Sequence, residues 1–196
     1  MKSALSSRTV LLIIAAMFLM PLVLAWLMYN GTIDFKPAST RNFGRLVEPP
    51  VPMSWAGIGV ISPGGNAPER FDGHWVVLYR VADSCKEDCL EEISGLRKIH
   101  KASGRHQPRI RMALLLNESQ ADTMVNRLQG IYQKFHLIRD PAGILLNALD
   151  KAGAGDNAYL IDPLGNIMMA YEAGSDPNQL KQDLKRLLTW SKLDEQ

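Results

Sequence analysis

The chain is short of cysteine, of charged runs and of net charge, and each shortage closes off a class of protein. Only two cysteines occur in 196 residues, Cys85 and Cys89. A small fold stapled by several disulfides is therefore excluded. Lys and Arg number 22 against 20 Asp and Glu, a formal net charge of +2. No acidic residue precedes Asp34, and only Lys2 and Arg8 are basic before it. The whole net charge thus sits near the N-terminus, and residues 34–196 carry acids and bases in equal number. A neutral globular part without a long basic run argues against nucleic-acid binding through backbone charge. With 46% hydrophobic residues and balanced charge, the chain also lacks the signature of disorder. It shows no internal repeat and no low-complexity tract.

No charge at all lies between Thr9 and Ile33, and from Val10 to Tyr29 every residue but Pro21 is apolar. About 20 such residues in a helix cross a bilayer core of roughly 30 Å. A cleaved secretory signal has a shorter apolar region and a small-x-small cleavage site. This segment ends Trp26-Leu27-Met28-Tyr29-Asn30, which supplies no such site, and it holds no cysteine for acylation. The expectation is one uncleaved anchor, with Trp26 and Tyr29 at the far interface. Lys2 and Arg8 keep the N-terminus cytoplasmic by the positive-inside rule. The rest of the chain is then exported, in a bacterium to the periplasmic side of the inner membrane, where disulfides persist.

Residues 34–70 contain Pro37, Pro49, Pro50, Pro52, Pro63 and Pro68 among several glycines. That density opposes regular helix and predicts an extended linker wrapping a core, with Gly57 to Ile61 as one short edge strand. The expected organisation is a cytoplasmic stub (1–9), a transmembrane helix (10–29), this linker (30–70) and a domain (71–196). Trp75 to Tyr79 and Ile110 to Leu116 are continuous apolar runs, as in strands covered on both faces. Helices are predicted from Ser84 to about His100, Gln120 to Gly130 and Pro141 to Leu149, with Phe135 to Ile138 as a short extended piece between the last two. Ala158 to Ile161 and Ile167 to Tyr171 form a hairpin about the turn Asp162-Pro163-Leu164-Gly165-Asn166. Asp176-Pro177 starts the last helix, with Leu180, Leu184, Leu187 and Leu188 on its core face. Right-handed crossovers make the first two core strands parallel. The order is that of a thioredoxin-like α/β sandwich, a mixed sheet flanked by helices.

Cys85 and Cys89 follow the first core strand and open the first helix. Unpaired N–H groups and the positive end of the helix dipole favour a thiolate there. Asp83 or Ser84 is the expected cap. Lys86 assists a thiolate, whereas Glu87 and Asp88 oppose it. The spacing C-x3-C places both sulfurs on one helical face, with Cα atoms roughly 6 Å apart, near the limit of disulfide reach. Two soft thiolates also suit Cu(I). A dithiol–disulfide switch and a copper clip are both open chemically, against the plainer possibility of two buried core thiols. A third copper ligand is not evident. His74 precedes the first strand, His100 lies about 16 Å along the helix from Cys89, and His106 and His136 fall near other elements. Of Met168 and Met169, strand alternation lets only one face the site.

Together these features resemble the Sco/SenC family of membrane-anchored cytochrome c oxidase assembly proteins. The resemblance rests on the single anchor, C-x3-C after the first core strand, and Tyr159-Leu160-Ile161-Asp162-Pro163-Leu164-Gly165 before the hairpin. The stretch from Asn42 to Pro50 is similar to the segment preceding the domain in a short bacterial subgroup. The resemblance implies a thioredoxin-like fold and an oxidase subunit or its copper-site assembly factors as partner. It also implies copper held by Cys85, Cys89 and a histidine just before the strand of Tyr159. In this chain Asn157 stands at that histidine's place, and Leu90 replaces the proline that normally follows the second cysteine. The thiol half of the family's chemistry is retained, and the third metal ligand is not identified. The competing expectation is a non-catalytic scaffold on the same fold.

Overall fold

The structure is a computed structural model that describes residues 6–31, 41–61, 71–117, 121–153 and 155–191. It forms two compact units, Met1–Arg41 and Asn42–Gln196. The first contains helix α1 (Ser7–Tyr29), 23 residues long, with Pro21 inside it and no buried side chain. Its length and apolar character suffice to cross a membrane.

The second unit is built on β1 (Arg45–Pro52), β2 (Gly59–Val60), β3 (Trp75–Arg80), α2 (Glu87–Ala102), β4 (Ile110–Leu116), α3 (Ala121–Ile131), β5 (Phe135–Arg139), α4 (Ile144–Gly153), β6 (Asp156–Ile161), β7 (Asn166–Glu172) and α5 (Pro177–Trp190). A 3-10 turn, Gly104–Arg109, leads into β4. The strands make one seven-stranded sheet in the order β1-β7-β6-β3-β4-β5-β2. β3, β4 and β5 run parallel, and β6 is antiparallel to β3. The continuous apolar runs of β3 and β4 are explained by cover on both faces. Trp75, Val77 and Tyr79 join Ile93, Leu96, Leu128, Leu180 and Leu184 on one face. Val76 and Leu78 join Val47, Phe71, Leu145 and Leu149 on the other.

Within the Pro/Gly-rich stretch, the described residues supply β1 and β2, the two edge strands of the sheet. β2 lies within the predicted short edge strand and pairs with β5. β1 was not foreseen, because its prolines argue against a strand. They are tolerated because β1 is an edge, paired only with β7, and its register breaks between Leu46 and Val51. Such an edge also discourages further strand addition.

Local chemistry sets the element ends. Asp176 caps α5, its side chain accepting from Asn178 N–H at 2.9 Å. Asp162 holds the hairpin turn by accepting from Leu164 N–H (3.0 Å) and Asn166 N–H (2.8 Å). α4 starts at Ile144 rather than Pro141, because the Asp140 carboxylate accepts from Ile144 N–H and Leu146 N–H.

Candidate functional site

β3 ends at Arg80, and the helix that follows starts at Glu87 rather than Ser84. Its cap position is held by Lys86 in extended conformation, with no side-chain cap bond. The N-cap position is thus Lys86, not Asp83 or Ser84. Cys85 lies outside the helix, while Cys89 is in its first turn, so the two do not share a helical face as expected. This offset brings their Cα atoms to 5.2 Å, and the two sulfurs form a disulfide. Two residues in a regular helix at this spacing would sit farther apart. Both cysteines are half-buried and rest on the apolar cluster beneath α2. Lys86, Glu87 and Asp88 beside them are exposed. Glu87 and Asp88 complement the helix dipole, at the expense of a thiolate.

A polar group lies farther along α2, between the helix and the sheet. Tyr79 Oη donates to Glu92 Oε2 at 2.6 Å, and Gly174 N–H donates to Glu92 Oε1 at 3.1 Å. Asn157 lies beside the Tyr79 hydroxyl and acts to lower its pKa. Burial, then the Glu92 hydrogen bond and charge, push the Tyr79 phenol far above its ordinary pKa. Tyr79 therefore stays a neutral donor. Asn157 reaches this position from a β-bulge: Asp156 pairs with Glu172 and Ala158 with Tyr171, leaving Asn157 as the extra residue. Neither the bulge nor the Glu92 contact carries a signal in the sequence.

The histidines gather elsewhere. β3, β4 and β5 are parallel, so their N-terminal ends share one end of the sheet, opposite the cysteines. His74 immediately precedes β3. Its Nδ1 donates to the Asp72 carbonyl at 2.9 Å, and its Nε2 accepts from Arg111 at 2.8 Å. His106 is in the 3-10 turn before β4. His136 is the second residue of β5 and packs edge-on to Phe71. His100 is buried near the C-terminus of α2. Its Nε2 donates to the Gln107 carbonyl (3.2 Å) and its Nδ1 accepts from Tyr132 Oη (2.8 Å). Burial lowers its pKa, with Lys134 and Arg111 acting in the same direction. A cleft of about 530 Å³ lined by His100, Arg111, Lys134 and His136 opens at this end, away from the cysteines.

Met168 and Met169 depart from strict alternation. Leu160 pairs with Met169 and Ile161 with Ile167, so the bulge turns both methionines to the α2 face. Both sit at the registers of the sheet's middle and far end, not beside Cys85. Among the described residues no three His, Cys, Asp or Glu side chains come together as a metal site. The residues present do not fit a three-ligand copper centre. The two sulfurs are joined, position 157 carries an amide in place of an imidazole, and no imidazole is on the cysteine side. Asn157→His is expected to raise the Cu(I) affinity of the reduced chain about tenfold or more, roughly 1.4 kcal/mol. Competition against a Cu(I) chelator checks this; equal affinities would mean that position does not reach the sulfurs.

Fold and site together define a thioredoxin-like α/β protein whose C-x3-C disulfide stands at the junction of its first parallel strand and the following helix. The chain belongs to the family described as transmembrane-like, thioredoxin-like, C-terminal domain, whose model matches residues 75–191. Apo Sco1 from Thermus thermophilus is similar in structure, with 13% identity, 77% of this chain and 99% of that chain covered, and a TM-score of 0.56. A putative thioredoxin from Neisseria meningitidis has 16% identity, 71% and 93% coverage, and a TM-score of 0.51. Arabidopsis thaliana ScoI with copper bound has 13% identity, 63% and 89% coverage, and a TM-score of 0.50. At these identities what is shared is the fold. No curated protein matches the chain.

Proposed function

We propose that this protein is a membrane-tethered thiol–disulfide exchange factor. Its exported domain keeps the copper-site cysteines of a respiratory cytochrome c oxidase reduced, acting on an oxidase subunit or on one of its copper-site assembly factors. The observation that carries this reading is the Cys85–Cys89 disulfide, made from the chain's only cysteines and half-exposed at the strand–helix junction. The resemblance of the anchor, the C-x3-C spacing and the Tyr159–Gly165 stretch to Sco/SenC proteins supplies the substrate. Lys2 and Arg8 ahead of the apolar helix support an orientation with the N-terminus in the cytoplasm and the domain in the periplasm.

The chemistry balances with sulfur alone. In the reduced chain, Cys85 attacks one sulfur of a partner disulfide as a thiolate. A mixed disulfide forms, and the partner's second sulfur leaves as a thiolate. Cys89 then loses its proton and attacks the Cys85 sulfur. The intramolecular disulfide closes and the first partner sulfur is released. The partner gains two electrons, this chain loses two, and a dithiol reductant must reopen the pair for another cycle. Copper belongs to the partner in this scheme.

The test is a strain whose chain carries Cys85→Ser and Cys89→Ser together. Copper-dependent oxidase activity is expected to fall to the level of a full deletion. Normal activity in the double variant, with activity lost in the deletion, would make the domain a scaffold and overturn the exchange reading.

A further inference from the structure

The cleft at the histidine end of the sheet takes no part in the exchange chemistry. Its volume of about 530 Å³ is that of a site for a small molecule. It opens because two parallel strands join late. β4 begins at Ile110, but the first of its residues to meet β5 is Met112, opposite Phe135. Ile110 and Arg111 on one side, and Gln133 and Lys134 on the other, lie outside that pairing and line the slot between the strands. Ile110, Met112 and Phe135 are buried, Arg111 is half-buried and Lys134 is exposed. The lining is thus apolar within and cationic toward solvent.

The charge around this cleft is one-sided. None of the described residues that line it is acidic. From Ile93 to Asn117 the chain holds six Lys and Arg and no Asp or Glu, although residues 34–196 balance as a whole. Both cations are oriented by neighbours. Arg111 donates to the Pro108 carbonyl and to His74 Nε2, each at 2.8 Å. Lys134 Nζ donates to Gln107 Oε1 at 3.2 Å, and Gln107 Nε2 donates to the His100 carbonyl at 3.3 Å. Their charges reach the buried side of the cleft, since Arg111 and Lys134 both act to lower the pKa of His100.

We propose that this cleft binds a small phosphate monoester, with its head between Arg111 and Lys134 and its apolar body against Pro108, Ile110 and Phe135. Such a head carries close to two negative charges at neutral pH and three strong acceptor oxygens. A guanidinium fork and a mobile ammonium match both properties, whereas a lone carboxylate answers only one of the two cations. The apolar lining adds affinity for an ester over the bare ion. The site lies at the end of the sheet opposite Cys85 and Cys89, so it goes beyond the exchange reading and does not depend on it.

The experiment is calorimetric titration of the full chain in detergent micelles with phenyl phosphate, inorganic phosphate and benzoate. Phenyl phosphate is expected to bind about tenfold or more tightly than either of the others. Lys134→Gln changes an exposed side chain and should weaken phenyl phosphate about tenfold or more without lowering Tm. Arg80→Gln, at the other end of β3, should leave the affinity unchanged. Phenyl phosphate binding no tighter than inorganic phosphate would overturn the apolar subsite, and benzoate binding equally well would overturn the phosphate head. No heat with phenyl phosphate at millimolar concentration, or an affinity that Lys134→Gln leaves as it was, would overturn the site altogether. Equal losses in Lys134→Gln and Arg80→Gln would do the same, because general surface charge would then explain the binding.

Discussion

A Cys89→Ser chain is expected to stop exchange halfway and keep its partner attached, while Cys85→Ser prevents attachment. The asymmetry follows from where the helix begins. Cys85 precedes the cap residue Lys86, facing the end at which the first-turn N–H groups lack helical partners. A thiolate at Cys85 is stabilised by those dipoles. Cys89 lies inside the first turn, and its reach is to Cys85, 5.2 Å away between Cα atoms. With Ser at position 89 the mixed disulfide has no resolving thiol, so it accumulates. Overall reduction of a partner disulfide should drop by about a hundredfold or more in either variant, yet only Cys89→Ser should show the adduct. Non-reducing electrophoresis with mass analysis distinguishes them. An adduct on Cys85→Ser and none on Cys89→Ser would reverse the two roles.

Much of this arrangement could be read from residue order. The β3 and β4 runs, the Asp162 turn and the Asp176-Pro177 cap each carry their cause in a few adjacent residues. So does the apolar segment that becomes α1. What could not be read depends on partners distant in sequence. β1 is a strand only because the sheet has a free edge at β7 that tolerates Pro49, Pro50 and Pro52. The bulges at Asn157 and Met168 appear only once strands are paired, and they decide what those side chains meet. Asp83 and Ser84 look like caps in the sequence, yet the helix starts only after Lys86, a few residues on. That shift changed the pair from two thiols on a helical face to one thiol before the helix and one within it. The histidines are scattered in sequence as positions 74, 100, 106 and 136. Parallel strand order alone gathers them at one end of the sheet, opposite the cysteines. The amide at Asn157 and the placement of the histidines each leave the cysteine pair without an imidazole ligand.

Asp183→Ala should be among the most damaging substitutions outside the cysteines, because one buried carboxylate holds three donors from two segments. Its side chain is 1% exposed. Oδ2 accepts from Phe43 N–H, Gly44 N–H and, at 3.1 Å, Tyr171 Oη. Oδ1 faces the Arg186 guanidinium at 3.6 Å. Burial, with the charge and hydrogen bond of Asp183, drives the Tyr171 phenol far above its ordinary pKa, so it donates across the whole physiological range. The glycine at position 44 is part of the same fit. A Cβ there would lie 2.5 Å from Tyr171 Cζ, so the ring packs on the backbone of Gly44 with no side chain between them. Alanine at 183 removes the only acceptor shared by these donors and leaves them facing an apolar gap. Such a loss costs about 3–5 kcal/mol. That is a large fraction of the roughly 5–15 kcal/mol that holds a domain together, and it should lower Tm by about 8–15 °C. Tyr171→Phe removes a single bond and should cost about 1–2 kcal/mol. Thermal unfolding of the full chain measures both. Amide exchange adds a local readout, since Phe43 and Gly44 should lose protection in Asp183→Ala and keep it in Tyr171→Phe. If protection at those two amides survives the alanine, the carboxylate is not what fastens Phe43 and Gly44 to α5.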